Sequence, residues 1–175
     1  MKKYTLFIIC AVVAATFCSC NSSKSPVKTF VMPCSDCTKS DNSLRVWASG
    51  SSDNETTARK KAMTNASNDL AALLQKTVNS LTEQYTTSLT EGEASKSKTL
   101  FNEKSVIAAK QALTGATIIC DQWKKDENGQ YTNYIVLELK GKDFIEALTK
   151  EIGSESVDKK LLNDLFMKNI QESNK

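Results

Sequence analysis

The stretch "LRVWASGSSDNETTARKKAMTNASNDLAALLQKTVNSL", residues 44–81, changes its period partway along. Its first part alternates. Leu44, Val46 and Ala48 point one way and Arg45, Trp47 and Ser49 the other, which is the pattern of a half-buried strand. Gly50 and the serine pair after it are expected to end that strand. From Glu55 the period becomes helical. Ala58, Ala62, Ala66, Leu70, Leu73, Leu74, Thr77, Val78, Leu81 and Tyr85 recur every three or four residues. This predicts one long helix to about Leu89, capped by Ser52 or Asp53, with Glu55 and Glu91 as the acidic ends of a long run. The first turns of the apolar face carry only alanine. Small side chains let a helix lie close to a sheet, so Ala58, Ala62 and Ala66 are expected over the strands. Arg59, Lys60, Asn65, Asn68, Asp69 and Lys76 form the opposite, solvated face and are assigned no ligand.

Working outward toward the C-terminus, "GEASKSK" (92–98) is expected to break or fray the helix. "FNEKSVIAAKQAL" (101–113) reads as a weak helix or a strand entry, and Gly115 marks a bend. "ATIICDQW" (116–123) and "YTNYIVLELK" (131–140) read as two strands of a hairpin, rich in β-branched and aromatic residues, with Asn128-Gly129 as the turn signal. Gly141 ends the second strand. "KDFIEALTKEI" is a short helix capped by Asp143 and stopped by Gly153. "SVDKKLLNDLFMKNI" (156–170) is an amphipathic helix with Val157, Leu161, Leu162, Leu165, Phe166 and Ile170 on one stripe.

The fold class expected from this order is α+β. One long helix packs on a small antiparallel sheet of about three strands (β-α-β-β), followed by a C-terminal amphipathic helix. One helix covers one sheet face. The other face, expected to carry Trp47 and Trp123, is the candidate binding face. It needs cover from the tail helix, from a second copy in a homodimer, or from a partner protein.

Toward the N-terminus, Lys2 and Lys3 precede the apolar run "LFIICAVVAATF" (6–17). That run fits a secretory leader and falls short of the roughly 20 apolar residues of a spanning helix. "FCSC" (17–20) resembles the lipobox of bacterial lipoproteins. Ser19 is the small residue before the acceptor Cys20, and Phe17 stands where leucine is usual. The resemblance implies cleavage before Cys20, which is lipidated and anchors the protein to a membrane through N-terminal acyl chains. "NSSKSP" then reads as a tether. Some bacterial lipoproteins reach the cell surface through an acidic cluster just after that cysteine. Residues 21–28 contain no Asp or Glu, so the expected placement is exported and lipid-anchored at the outer membrane, facing the periplasm, with surface exposure left open. The expected organisation is a leader (1–19), a lipidated cysteine-containing tether (20–42), an α+β domain (43–150), and a C-terminal helix and tail (151–175).

Composition narrows the chemistry. The chain has 175 residues, 40% hydrophobic and 25% charged, which suits one globular domain with a leader and tails. Lys2 and Lys3 supply two of the three formal net positive charges, so the mature chain is nearly neutral and has no electrostatic case for nucleic-acid binding. There is no histidine, hence no Ser-His or Cys-His nucleophile pair and no imidazole metal ligand. No catalytic residue, cofactor or metal is assigned. Two alternatives to a binding module stand beside it. One is a small-ligand carrier using the uncovered sheet face. The other is an enzyme built on carboxylates such as Asp121 and Glu138, taken as cross-strand neighbours near Trp123.

"GSSDNETTARKKAMTNASNDLAALLQKTVNSL" (50–81) and "LTGATIICDQWKKDENGQYTNYIVLEL" (113–139) together resemble the LPP-twenty family of bacterial envelope lipoproteins. The first segment has a Gly-Ser-rich strand end, an Ala-Arg step, an Asn-Asp-Leu-Ala core and a valine turn. The second has a Leu-x-Gly step before a strand, a tryptophan near its end, and an acidic-Gly-x-Tyr turn. "PC" before the domain and "IIC" in the second strand look like a Bacteroides-type branch. The resemblance spans about 44–140. It implies a dodecin-like, Tip-alpha-like fold with one helix on about three strands, and a role in the envelope without an established enzymatic activity.

Cys10 and Cys18 leave with the leader, and Cys20 is the lipid acceptor, which leaves Cys34, Cys37 and Cys120. An exported compartment favours disulfides. Cys34–Cys120 would staple the N-terminal segment to the hairpin and close a long loop. It is the favoured pair, partly because these are the family-like "PC" and "IC" positions, and Cys37 is then the free thiol. Cys37–Cys120 and the small Cys34–Cys37 ring are the alternatives. "MPCSDC" (32–37) is a Cys-x-x-Cys, but a polar stretch follows it, where a redox motif would open a helix. A zinc site would need a second pair.

Overall fold

The computed structural model describes residues 31–87, 91–153 and 158–173. The leader, Cys20, the tether to residue 30, Leu89 and Val157 lie outside the described residues, as do the side chains of residues 88–97. The chain divides into a unit Met1–Val31, of which only Val31 is described, and a unit Met32–Lys175, to which everything below refers.

The described elements are α+β. Strand β1 (Ser43–Ser52) is followed by helices α1 (Glu55–Thr87) and α2 (Glu91–Thr114). Strands β2 (Thr117–Lys125) and β3 (Tyr131–Lys140) form a hairpin. Helices α3 (Gly141–Ile152) and α4 (Lys159–Ser173) close the chain. The sheet is antiparallel in the order β1-β3-β2, so the strand nearest the C-terminus is central and the hairpin partner β2 is an edge.

The alternation in β1 sets the packing. Leu44 pairs with Leu139, Val46 with Leu137 and Ala48 with Ile135, and residues paired directly across antiparallel strands share a face. Leu44, Ala48, Ile135, Leu137 and Leu139 are buried together with Ala62, Ala66, Leu70 and Leu74 of α1. The alanine face therefore lies on the sheet as its small side chains demand. Gly50 does not end the strand. It lies within β1 where α1 comes closest: a Cβ there would run into Ala62 N and stand 2.5 Å from the Ala58 carbonyl oxygen.

The α1 cap is one residue beyond the expected pair. Asn54 Oδ1 accepts from the Thr57 N–H at 3.0 Å, while Ser52 Oγ accepts from the Asn54 N–H and Ser52 donates its proton to Asp53. Past Leu74, α1 runs on against α2 and α4. Its apolar face there includes Thr77, Thr82 and Thr86, whose hydroxyls bond back to the carbonyls of Leu73, Val78 and Thr82 and so can be buried.

"GEASKSK" is helical, not a break, and residues 101–113 belong to the same helix α2. Gly92 costs such a helix about 1 kcal/mol. Burial of Phe101, Ala108 and Ala112 against neighbouring helices offsets it, and Phe101 stacks on Tyr85 at 5.2 Å. The α3 cap also differs from expectation. The helix begins at Gly141, Asp143 sits in its first turn, and the Gly141 N–H is met by the Asn42 carbonyl at 2.9 Å. A backbone acceptor from before β1 thus replaces a side-chain cap. Gly153, at φ +94°, closes α3 as predicted. Asp158 accepts from the Lys160 and Leu161 N–H groups and starts α4, which packs against α1 and α3 with Phe166 stacked on Phe144 at 4.8 Å.

Candidate functional site

The sheet face away from α1 carries Arg45, Trp47, Val136, Tyr134 and Glu138. It was expected to need cover from the tail helix, a second subunit or a partner. The chain covers it with its own N-terminal segment, Met32 to Asn42, which includes a short 3-10 turn at Ser35–Cys37. Trp47 Nε1 donates to the Pro33 carbonyl at 2.8 Å. Arg45 Nη1 donates to the carbonyls of Cys37 (3.2 Å) and Lys39 (2.6 Å). Cys34, only 4% exposed, is disulfide-bonded to Cys120 of β2 with the Cα atoms 5.9 Å apart, and its Sγ lies 3.7 Å from the Tyr134 carbonyl oxygen. The segment thus touches β1, β3 and β2 in turn, and the favoured cysteine pair is the one formed. Among the described residues Cys37 is the free thiol, and it is half-buried.

Arg45 is the electrostatic centre of this face. Its Nε and Nη2 donate to Glu138 Oε1 at 2.9 and 2.7 Å, and Glu138 is buried. Nη1 serves the two carbonyls of the cover, so one guanidinium neutralises a buried carboxylate and holds down the chain above it. The alternation marked Arg45 as facing away from α1. Nothing in the sequence marked its partner as Glu138, on a strand more than 90 residues away.

Trp47 and Trp123 do not share a face. Trp47 pairs with Val136 and Trp123 with Asn133, three positions apart on β3, and side chains alternate along a strand. The cause is a bulge in β2 between Ile118 and Cys120. Ile118 pairs with Leu137 on the α1 face, whereas Cys120 pairs with Val136 on the covered face. Counting by twos through the strand therefore gives the wrong side beyond the bulge. Trp47 lies half-buried under the cover, 5.9 Å from the Tyr134 ring, and Trp123 is 39% exposed beside α1.

Asp121 and Glu138 are likewise separated. Asp121 lies opposite Ile135 and Glu138 opposite Thr117, so they point to opposite faces and each has its own arginine. Asp121 meets Arg59 Nη2 at 3.0 Å and accepts from Asn133 Nδ2 at 2.6 Å, and Asn133 is fully buried. Arg59, read as purely solvated, therefore bridges α1 to the edge strand. Above that bridge an open groove of about 590 Å³ runs between α1 and β2, lined by Thr56, Arg59, Lys60, Met63, Thr64 and Ile118. It is not on the face that the carrier reading uses, and that face is occupied by the cover. At the hairpin end Lys125 donates to Tyr131 Oη at 3.0 Å, which raises the lysine pKa above its ordinary value. No helix among the described residues is long and apolar enough to cross a membrane.

These features define a class of domain: a three-stranded α+β layer whose second face is closed by a disulfide-bonded N-terminal segment. No protein-family model, curated protein or solved structure matches the chain.

Proposed function

We propose that this chain is a lipid-anchored protein of the bacterial cell envelope, of LPP-twenty type, with a non-catalytic structural, assembly or binding role. The observation that carries the proposal is the Cys34–Cys120 disulfide, which ties the segment behind the lipobox-like "FCSC" to the far edge of the sheet. Disulfides persist in oxidising compartments, and the leader and lipobox resemblance lead the chain to one. Cys20 is the acylated residue in this proposal, and the domain faces the periplasm from the outer membrane. It acts by contact with envelope proteins or with a second copy of itself.

The test is the intact mass of the full chain purified from bacterial envelopes, before and after reduction and alkylation. The expected mass is that of a chain beginning at Cys20 with acyl groups added. Two further alkyl groups are expected to enter only after reduction. Cys20→Ala is expected to leave the membrane fraction. An unacylated mass with cleavage elsewhere would overturn the anchor and, with it, the envelope-facing role.

A further inference from the structure

We propose that Cys34, Cys37 and Cys120 form a thiol–disulfide exchange site in which the Cys37 thiolate takes Cys34 from Cys120 and releases the N-terminal cover from strand β2. Two cysteines lie within bonding reach of Cys34. Cys120 reaches it through the sheet and holds the bond, at a Cα separation of 5.9 Å. Cys37 reaches it through the turn. The Cys37 N–H donates to the Cys34 carbonyl at 3.1 Å. A turn closed this way keeps its first and fourth Cα atoms within about 7 Å, and disulfides span about 4.4–6.8 Å. Cys37 carries a free, half-buried thiol.

Cys34 joins two consecutive turns. Among the described residues it is the one non-glycine at positive φ, +63°. L-residues other than Gly, Asn and Asp rarely adopt that conformation. That φ belongs to the preceding turn, Met32–Ser35, in which Pro33 and Cys34 are the central residues and the Ser35 N–H donates to the Met32 carbonyl at 3.1 Å; the Cys34–Cys37 turn follows directly on it.

The step balances within the chain. The Cys37 thiolate attacks Cys34 Sγ. The Cys34–Cys37 bond forms, the Cys34–Cys120 bond breaks, and the electron pair leaves on Cys120 Sγ, which takes a proton from solvent. One disulfide and one thiol stand on each side, so no external oxidant or reductant enters. The two states differ in what is tied together. Cys34–Cys120 joins the cover to the sheet across 86 residues, whereas Cys34–Cys37 joins the cover to itself. After exchange the cover keeps its bonds to Trp47 and Arg45 of β1 and has lost its covalent tie to β2. This site does not depend on the anchor, so either proposal can fail without the other.

The experiment follows the free thiol in the full chain, purified in detergent without reductant. The protein is held at mildly alkaline pH, and samples taken over hours are quenched with acid, alkylated with N-ethylmaleimide and digested with trypsin. Cys34 and Cys37 fall in one tryptic peptide, residues 29–39, and Cys120 in another, residues 111–124. The label is expected to move from Cys37 to Cys120 at constant total label, at a rate independent of protein concentration, while the 29–39 peptide gains an internal disulfide. Cys37→Ser is expected to keep label off Cys120. Cys120→Ser, treated with oxidised glutathione as the two-electron oxidant, is expected to carry the internal 29–39 disulfide even if its fold is loosened. Label confined to Cys37, movement of label onto Cys34, or a rate that rises with concentration would each overturn the proposal.

Discussion

Single residues decide where the layers touch. Gly50 reads in the sequence as a strand end because glycine punctuates so often. Its physical role is different, since it removes the one side chain that would collide with α1 backbone at Ala58 and Ala62. Gly50→Ala is expected to lower stability by about 3 kcal/mol, because backbone on both sides leaves nothing soft to move aside. Equilibrium urea unfolding measures this, and a loss under 1 kcal/mol would show that the helix can lift off the strand cheaply. Arg45 and Glu138 make the second point at this scale. Removing one partner of a well-buried pair costs about 3–5 kcal/mol. The Arg45 side chain keeps 23% of its surface in water, so Glu138→Ala is expected to cost nearer 2 kcal/mol. The contrast is Arg59→Ala. Arg59 is half exposed in its pair with Asp121, and such surface pairs contribute about 0–1 kcal/mol. Both variants can be read by the same unfolding measurement.

Whole elements were legible where their period was clean. The strand at 44–52, the long helix, the hairpin and the last two helices all stand where alternation or three-to-four spacing placed them, within a few residues. Three things were hidden, each for a physical reason. Helix α2 opens with Gly, Ser and Lys, and its burial rests on Phe101 and small alanines, so its pattern carries little contrast. The bulge in β2 leaves no mark in composition, yet it reverses which face every later side chain takes. The cover over the second sheet face is mostly polar, and its cohesion comes from one disulfide, one tryptophan N–H and one guanidinium instead of an apolar stripe. That gives a prediction for the cover as an element. Cys34→Ala in a Cys37→Ala background removes the disulfide to β2 and the thiol that could replace it, and loss of a native disulfide typically costs about 2–5 kcal/mol. With Trp123→Phe as the spectroscopic background, Trp47 emission is expected to shift to the red and to become more accessible to acrylamide. Unchanged quenching would mean that the Pro33 and Arg45 contacts hold the segment without the bond.

At the scale of the molecule, α1 is shared between two environments. A 33-residue helix is about 50 Å long, and it runs back along β1, with Lys61 on the Ser51 carbonyl and Asn65 on the Ser49 carbonyl, whereas a 10-residue strand spans only about 33 Å. One end of α1 is therefore sheet-bound and the other is packed among helices. The tail helix belongs to that second part of the core, with Leu162, Phe166 and Ile170 fully buried. Phe166→Ala is expected to cost about 3–5 kcal/mol, while Lys168→Ala on its outer side is expected to be near neutral. A small loss at Phe166 in thermal or urea unfolding would mean that α4 is an accessory to the fold. The strand order has a further consequence, one of timing. β1 is made early, but its hydrogen-bonded neighbour among the described strands is β3, roughly 80–100 residues later, so its ladder closes a long loop. At synthesis rates of about 5–20 residues per second, β1 and the cover wait roughly 4–20 s for the strand they rest on. Through most of that interval the domain contains Cys34 and Cys37 but not yet Cys120. The first partner Cys34 can meet within its own domain is its neighbour in the turn, and the bond seen in the finished fold is the one that arrives last.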